Sequence, residues 1–274
     1  MKRPLASPVA ASYCYQPAEV LSPSQVNTFS DCPAKWCFRY LLDLPEAKSG
    51  ALVVGEAVHA TIAGVLGQKL GQQGEPEPEL EDVHEAYAIA WAEASYEAEF
   101  REDEEPDALV QLGQALVEKY VAEAVPRIQP AALEHPVSGE IAGVKVRGRI
   151  DILDVEGRVI DIKTAGQKPG EILVDHRLQL ITYDLLCPES RGKARLDTLV
   201  KGRNGAKNPV IQLVQQSIEI GPEDVQYAES MYPMVQEAMR DGIFYPRRPS
   251  NICSRRYCSF WRACEKEFGG KVKE

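Results

Sequence analysis

Two short runs rich in β-branched residues contain the side chains best suited to chemistry. The run 146–152 includes Asp151, and the run 159–163 includes Asp161 and Lys163. Side chains alternate between the two faces of a strand, so Asp161 and Lys163 should point to the same face. Two carboxylates and an ammonium group on one face could bind a divalent metal ion and orient an attacking water molecule.

A hairpin is the element that would bring these residues together. Only Val155-Glu156-Gly157 separates Asp154 from Arg158, which predicts antiparallel pairing of the two runs. That pairing would place Asp151 beside Asp161 and Lys163. An Asp-x-Lys pair is also common on strands that merely face solvent, so a solvated sheet face is the alternative.

The surrounding pattern predicts an α/β fold with a mixed central sheet flanked by helices. Strands are predicted at 135–141, 144–154, 158–164, 195–201 and 209–219, with a crossover helix at 175–186 and a last helix at 222–240. The crossover helix would place Gln179 and Tyr183 one turn apart. Farther upstream, helices are predicted at 22–30 with Ser22 as N-cap, at 34–41, and along an apolar stripe from Val58 to Leu70. His59 lies beside that stripe, where a histidine is more often a core or rim residue than a ligand.

The net charge of −10 is unevenly distributed along the chain. Fourteen acidic residues and one basic residue between 75 and 107 give that helical segment −13, so the remainder carries +3. The tail from Phe244 to Ala263 combines five arginines with five aromatic residues and no acid, a pattern that suits a phosphate backbone with unstacked bases. A basic loop that caps an acidic neighbour is the alternative. The candidate DNA-binding residues are Arg147, Arg149, Lys201, Arg203, Lys207, Arg255 and Arg256.

The cysteines predict a metal centre rather than disulfides. Cys253, Cys258 and Cys264 lie in a short tail, and Cys32 is the best candidate for a fourth thiolate. Their irregular spacing differs from zinc knuckles and favours an iron–sulfur cluster, with zinc as the alternative. Cys14, Cys37 and Cys187 look incidental.

Composition is that of an ordinary globular protein, with 44% hydrophobic and 26% charged residues in 274. We find no run approaching the ~18 apolar residues that would span a bilayer. Residues 1–20 are expected to be a flexible leader without a signal peptide, and the protein is expected to be cytoplasmic.

These motifs together resemble the PD-(D/E)XK nuclease superfamily, and in particular its RecB-like exonuclease branch with an iron–sulfur cluster. The matching segments are Gly55-x3-His59, Gly148-Arg149-Ile150-Asp151, Asp161-Ile162-Lys163, Gln179-x3-Tyr183 and the four cysteines. The resemblance implies a restriction-endonuclease-like core at 134–243, a helical part with an acidic insertion at 55–130, and a cysteine-rich tail at 244–268. These would form one nuclease domain over 21–268.

The resemblance also implies roles for individual residues. Asp151 and Asp161 would bind Mg²⁺ or Mn²⁺ with the Ile162 carbonyl and His59, while Lys163 would orient the attacking water. Gln179 and Tyr183 would hold the active-site face and contact DNA. The four cysteines would carry a [4Fe–4S] cluster that joins Cys32 to the tail.

Three functions are compatible with this pattern. The first is a metal-dependent DNA exonuclease that prefers single strands or free ends, in recombination, repair or phage-type DNA processing. The second is a CRISPR-adaptation nuclease that trims spacers and works with adaptation proteins. The third is a non-catalytic iron–sulfur scaffold that binds DNA, which would have no need of Asp151, Asp161 and Lys163 together.

Overall fold

The computed structural model describes residues 19–46, 48–71, 80–96, 98–202, 210–250 and 252–274. The predicted leader up to residue 18, the linker at 72–79, Cys14, Arg203 and Lys207 lie outside the described residues. The chain divides into two compact units. The first contains residues up to 46, 138–148 and 223–274, and the second contains 47–137 and 149–222. The sequence predicts a single nuclease domain over residues 21–268, and this stays a prediction.

The helices and strands follow the order expected from the sequence. The helices are α1 (Pro23–Asp31), α2 (Pro33–Trp36), α3 (Gly50–Gly71), α4 (Leu80–Ser95), α5 (Pro106–Glu123), α6 (Val174–Leu186), α7 (Pro222–Arg240) and α8 (Trp261–Phe268). The strands are β1 (Val20–Leu21), β2 (Pro130–Ile141), β3 (Val144–Asp154), β4 (Arg158–Ala165), β5 (Lys193–Val200) and β6 (Gln212–Glu219).

In the second unit, β3, β4, β5 and β6 are hydrogen-bonded neighbours in that order. The β3–β4 and β5–β6 pairs are antiparallel, whereas β4 and β5 run parallel and are connected through α6. A parallel pair needs such a crossover, and a helix is its usual form. The predicted mixed sheet, the crossover helix and the hairpin are therefore confirmed.

The hairpin turn depends on Gly157. Its φ of 71° lies in the left-handed region, and a Cβ at this position would come within 2.6 Å of the Glu189 backbone oxygen. Asp154 closes the turn, because its Oδ1 accepts hydrogen bonds from the backbone N–H groups of Glu156 (2.9 Å) and Arg158 (2.8 Å). Residue types typical of turns thus fix the register of β3 and β4.

One apolar core joins three helices to one face of the sheet. It contains Val58, Ile62 and Leu66 of α3 together with Tyr87 of α4 and Leu116 of α5, packed against sheet residues such as Ile160. The sequence analysis treated the acidic segment as an insertion, but its apolar face is part of the main core. Its acidic composition hid this because glutamates occupy the outer positions of the same helices.

Helix α3 also corrects the expectation that no segment could span a bilayer. Gly50–Leu70 is long and apolar enough by composition, with a mean hydropathy of 1.5, but half of that window is buried inside the protein. A core helix passes the same test, and the packing of α3 against α4 and α5 accounts for its apolar residues.

A buried polar network fastens α5 to β5. The Arg195 guanidinium donates to both oxygens of Asp197 at 2.7 and 2.8 Å, and Tyr120 Oη donates to Asp197 Oδ2 at 2.8 Å. The Gln215 side-chain amide donates to the same carboxylate at 3.2 Å. Asp197 is completely buried, so these donors replace the water that it loses on folding.

In the first unit, α1 and α2 pack with the segment after α7. Ser22 is the predicted N-cap of α1, and its Oγ accepts from the backbone N–H of Gln25 at 3.3 Å. Trp36 stacks on Phe244 with ring centroids 5.7 Å apart. In the same unit, β1 pairs in parallel with the start of β3, a two-residue strand that the sequence pattern did not reveal.

Several predicted boundaries need correction. Helix α3 begins at Gly50 rather than near 58, β2 begins at Pro130 rather than 135, and β5 begins at Lys193 rather than 195. The helix predicted at 34–41 starts at Pro33 and widens into a π-helical turn over Cys37–Leu41. Helix α7 continues through Pro233 and ends at Arg240, before the positive φ of Gly242, as expected.

Candidate active site

The candidate site lies where β3 and β4 diverge from their hairpin. Ile152 pairs with Ile160, so the next residues outward on the two strands are Asp151 and Asp161. The backbone N–H of Ile162 donates to Asp151 Oδ2 at 2.8 Å, which fixes that carboxylate beside β4. The hairpin thus places the two acidic side chains together.

Lys163 and His59 complete the charged cluster. Lys163 Nζ lies 2.6 Å from Asp161 Oδ2, and His59 Nδ1 of α3 lies 3.4 Å from Asp151 Oδ2. The His59 ring also interacts with the backbone of Ile162, whose carbonyl is a predicted metal ligand. The four predicted metal-binding residues and the predicted catalytic lysine therefore lie together.

The cluster is enclosed enough to shift the pKa values of Asp151, His59 and Lys163. Burial, and then the neighbouring charge of Asp161, raise the pKa of Asp151 from 3.8 to about 8. Burial lowers the pKa of His59, and the positive charge of Lys163 lowers it further, which favours a neutral imidazole. Burial also acts to lower the pKa of Lys163, but the charges of Asp161 and Asp151 outweigh it, so the pKa is raised and the ammonium group stays protonated.

The charge balance of the two carboxylates supports a bound cation at this position. Asp161 is 1% exposed, and Lys163, with its Nζ 2.6 Å from Asp161 Oδ2, supplies one positive charge for two neighbouring carboxylates. Two neighbouring carboxylates, a neutral imidazole and a carbonyl are ligands that Mg²⁺ or Mn²⁺ accepts. The residues present thus fit a divalent metal ion.

Helix α6 contributes two polar side chains to the same cluster. Gln179 Nε2 donates to Asp161 Oδ1 at 3.0 Å and lies 2.8 Å from Tyr183 Oη. Burial, together with the Asp161 charge, raises the pKa of Tyr183, so its phenol stays neutral. The i, i+4 spacing read from the sequence therefore brings this pair to Asp161, and their roles stay a prediction.

The sequence analysis missed a third acidic side chain. The charge of Glu134 in β2 acts on both Asp151 and His59, and Glu134 Oε2 lies 3.4 Å from a guanidinium nitrogen of Arg149. Its φ of 46° is unusual for a residue other than glycine. No sequence pattern signals this backbone conformation, so Glu134 could be found only from the structure.

The candidate DNA-binding residues differ in their surroundings. Lys145 and Arg147 of the first unit are exposed, and Arg149 of the second unit is exposed two residues before Asp151 on β3. Lys201 is half-buried, and burial lowers its pKa. In the other unit, Arg256 is exposed.

Arg255 is less available for a phosphate group than the sequence suggested. Its guanidinium lies over the Trp261 ring, 4.5 Å from the centroid, and pairs with Glu265 at 3.7 Å and Glu274 at 3.0 Å. A basic loop held by acidic neighbours was the alternative for this tail, and Arg255 fits that alternative.

The four candidate cluster cysteines line one cavity in the first unit. Cys32, Cys253, Cys258 and Cys264 surround it together with Phe38 and other residues of the tail. The backbone N–H of Arg247 donates to Cys32 Sγ at 3.4 Å, and Ala34 N–H donates to the Tyr245 carbonyl at 3.1 Å, so the tail is attached at Cys32. The pKa of Cys264 is raised to about 11, chiefly by burial, and the other three sulfurs contribute to this rise while the Arg248 charge opposes it.

The sulfur spacing is informative about the metal. A single tetrahedral zinc ion holds its sulfurs about 3.8 Å apart, because each Zn–S bond is about 2.3 Å. Among the described residues, the only three His, Cys, Asp or Glu ligand atoms that all lie within 4.8 Å of one another belong to another part of the chain. No three of the four tail sulfurs meet this 4.8 Å criterion.

Comparisons with known structures show the fold. A structure titled "Putative exonuclease" from Eubacterium rectale has a TM-score of 0.51 at 14% identity, covering 82% of this chain and 80% of its own. A structure titled SSO0001 has a TM-score of 0.38 at 16% identity, covering 86% and 95%. No protein with a curated description matches this sequence significantly.

The sequence itself gives the stronger result. Residues 20–265 match the family model of the PD-(D/E)XK nuclease superfamily, which is most of the chain and includes every residue of the charged cluster. The chain therefore belongs to the PD-(D/E)XK nuclease superfamily.

Proposed function

We propose that this nuclease is a metal-dependent DNA exonuclease that hydrolyses phosphodiester bonds at the site formed by Asp151, Asp161 and Lys163. The observation that carries the proposal is the pair of neighbouring carboxylates on β3 and β4, Asp151 and Asp161, of which Asp161 is only 1% exposed. Buried carboxylates are costly unless a cation compensates them, and Lys163 supplies only one positive charge.

Asp151, Asp161, His59 and the Ile162 carbonyl would hold Mg²⁺ or Mn²⁺. The bound ion would lower the pKa of a water molecule and neutralise charge on the phosphate. Lys163 stays protonated, so it serves to orient the attacking water and to stabilise the negative charge that develops on phosphorus-bound oxygens. Gln179 fixes the orientation of the Asp161 carboxylate through its 3.0 Å hydrogen bond.

An exposed arginine on β3 supports a DNA substrate. Arg149 is exposed on the strand that carries Asp151, two residues before it, so a phosphate group held by Arg149 would lie near the carboxylates. The exonuclease name of the Eubacterium rectale protein supports activity at DNA ends. We place this activity in recombination, repair or phage-type DNA processing. The free thiols of the described residues favour a cytoplasmic location.

Cleavage of end-labelled DNA tests the proposal. Single- and double-stranded substrates are incubated with anaerobically purified protein and Mg²⁺, Mn²⁺ or EDTA. Stepwise shortening from one end that requires metal is the expected result. Random internal cuts would contradict the exonuclease assignment, and cleavage in EDTA would contradict the metal requirement.

A matched pair of lysine variants tests the site itself. Lys163→Ala should reduce the rate of cleavage by at least about a hundredfold, because it removes the ammonium group that orients the attacking water and stabilises the developing negative charge. Lys193→Ala removes an exposed lysine at the other end of the paired strands, beside Arg158, and should cleave as the unmodified protein does. Equal activity of both variants would remove Lys163 from the mechanism.

We further propose that Cys32, Cys253, Cys258 and Cys264 carry a [4Fe–4S] cluster that joins α1 and α2 to the tail. The shared cavity and the wide sulfur spacing support it. Cys258→Ser should remove the brown colour and lower solubility, whereas Cys37→Ala, at another buried thiol of the same unit, should leave the colour unchanged. A colourless, zinc-loaded protein of full stability would overturn this assignment.

The same experiments address the two alternative functions. A brown, folded protein that binds DNA without cleaving it would favour the scaffold. Cleavage restricted to the overhangs of short duplexes would favour spacer trimming in CRISPR adaptation.

A further inference from the structure

A second group of potential metal ligands lies outside the candidate active site. His135 of β2, Cys187 at the end of α6 and Glu189 two residues later each offer one ligand atom, and these three atoms all lie within 4.8 Å of one another. The sequence analysis considered Cys187 incidental, as a small residue in apolar surroundings, and about fifty residues of chain separate it from His135.

The ligand types and distances fit zinc. Bond lengths of about 2.3 Å to sulfur and about 2.1 Å to oxygen predict a sulfur–oxygen separation near 3.6 Å around a tetrahedral zinc ion. The observed distance from Cys187 Sγ to Glu189 Oε2 is 3.4 Å. One thiolate, one imidazole and one carboxylate form a borderline-soft ligand set, which binds zinc in preference to Mg²⁺ or Ca²⁺.

The backbone that carries two of these ligands is firmly held. Ser190 N–H donates to the Cys187 carbonyl at 3.0 Å, and Gly192 N–H donates to Asp184 Oδ1 at 2.9 Å. Arg191 N–H donates to the Gly157 carbonyl at 3.1 Å, which attaches this turn to the β3–β4 hairpin. The Asp184 carboxylate thus stabilises the turn through its hydrogen bond with Gly192, and it is not one of the three metal-ligand candidates.

The group is open to solvent on one side. Cys187 is 2% exposed, whereas Glu189 is exposed and His135 is half-buried. His135 and Glu189 both line a cavity of about 590 Å³, which also contains Ser190 and Arg191. An ion could therefore enter from the cavity, and its fourth position would face solvent.

We propose that His135, Cys187 and Glu189 bind a zinc ion, with a water molecule as the fourth ligand. The ion links β2 to the turn between α6 and β5, at the C-terminal end of the helix that carries Gln179 and Tyr183. Binding releases the Cys187 thiol proton to solvent and leaves a thiolate on the metal. The site is structural, and it does not depend on the proposed nuclease reaction.

Metal stoichiometry tests the proposal on the full-length protein. Metal-stripped protein is reconstituted with Zn²⁺, and separately with Co²⁺, whose thiolate complexes absorb strongly. Bound metal is then measured per chain. In metal-stripped protein the tail thiols and the carboxylates of the candidate active site would also take up these ions, so the informative quantity is the difference between each variant and the unmodified protein.

Three variants remove one ligand each, and one variant serves as a control. We expect each of Glu189→Ala, His135→Ala and Cys187→Ala to weaken the binding of one Zn²⁺ equivalent by at least about tenfold. Even the loss of a residue that only hydrogen-bonds a metal ligand costs that much affinity. They should also abolish the part of the zinc-dependent rise in Tm that belongs to this site. Cys37→Ala should retain the full stoichiometry.

Glu189 makes the test robust. Its side chain is exposed, so Glu189→Ala should fold even if Cys187→Ala does not. If Glu189→Ala and His135→Ala bind as many Zn²⁺ equivalents, with the same affinity, as the unmodified protein, the proposal is wrong.

Discussion

The pH dependence of stability in the metal-free protein should reveal the strain between the buried carboxylates. Because the pKa of Asp151 is raised from 3.8 to about 8, the folded state holds a proton there that the unfolded chain has already released. The stabilisation from this proton is complete below about 3.8, the pKa of Asp151 in the unfolded chain. It is lost as the pH rises towards about 8, the pKa of Asp151 in the folded protein. We therefore expect the free energy of unfolding to fall across this window.

The size of the effect follows from the shift. Each pKa unit corresponds to about 1.4 kcal/mol, so the loss between about pH 5 and about pH 8 is up to about 4 kcal/mol. Asp151→Asn removes one ionisable partner and retains a side-chain oxygen that can accept the Ile162 N–H.

The assay is urea unfolding in EDTA, followed by circular dichroism. Asp151→Asn should become more stable than the unmodified protein as the pH rises, by several kcal/mol at about pH 8, with little difference near pH 4. Mg²⁺ at about pH 8 should restore stability to the unmodified protein far more than to the variant. Asp107→Asn, at an exposed aspartate in the first turn of α5, is the control. Parallel stability–pH curves for the unmodified protein and Asp151→Asn would refute the reasoning.

Two further predictions concern the helical layer. Tyr120→Phe removes the 2.8 Å hydrogen bond to the buried Asp197 and should lower the free energy of unfolding by about 1.5–3 kcal/mol, whereas Tyr96→Phe, at a side chain 87% exposed, should be neutral in the same urea titration. Gly113→Ala would place a Cβ 1.7 Å from Tyr87 Oη and should cost about 1–3 kcal/mol, measured as a lower Tm. Gly64→Ala, with no atom within 4 Å of its new Cβ, should instead stabilise helix α3 by about 0.5–1 kcal/mol; a loss of the same size at both glycines would show that the steric argument is wrong.

The sequence alone sufficed for the central sheet and its hairpin. Alternating β-branched residues set the strands, and Asp154 with Gly157 set the turn that fixes their register. Once the register is fixed, the positions of Asp151 and Asp161 follow, because neighbours on paired strands have no other arrangement. The candidate catalytic cluster was therefore predictable in its main residues from short-range rules.

The acidic helices show what composition leaves undetermined. Their glutamates lie on the solvated face, as the sequence predicted, whereas the packing depends on the minority of apolar positions such as Tyr87 and Leu116, which complete the core with α3. The composition of a segment averages over the solvent-facing and the packed side of each helix. It therefore does not distinguish an insertion from a layer of the core.

Only the tertiary structure decided which distant side chains meet. Glu134 reaches the charged cluster through a left-handed backbone conformation, and His135 joins Cys187 and Glu189 across about fifty residues of chain. Types and spacing in the sequence determined the family, the hairpin and the acidic pair, because those depend on contacts close along the chain. The exposure of each charge, the spacing of the cluster sulfurs and the second group of ligands depend on long-range packing, which no local pattern encodes.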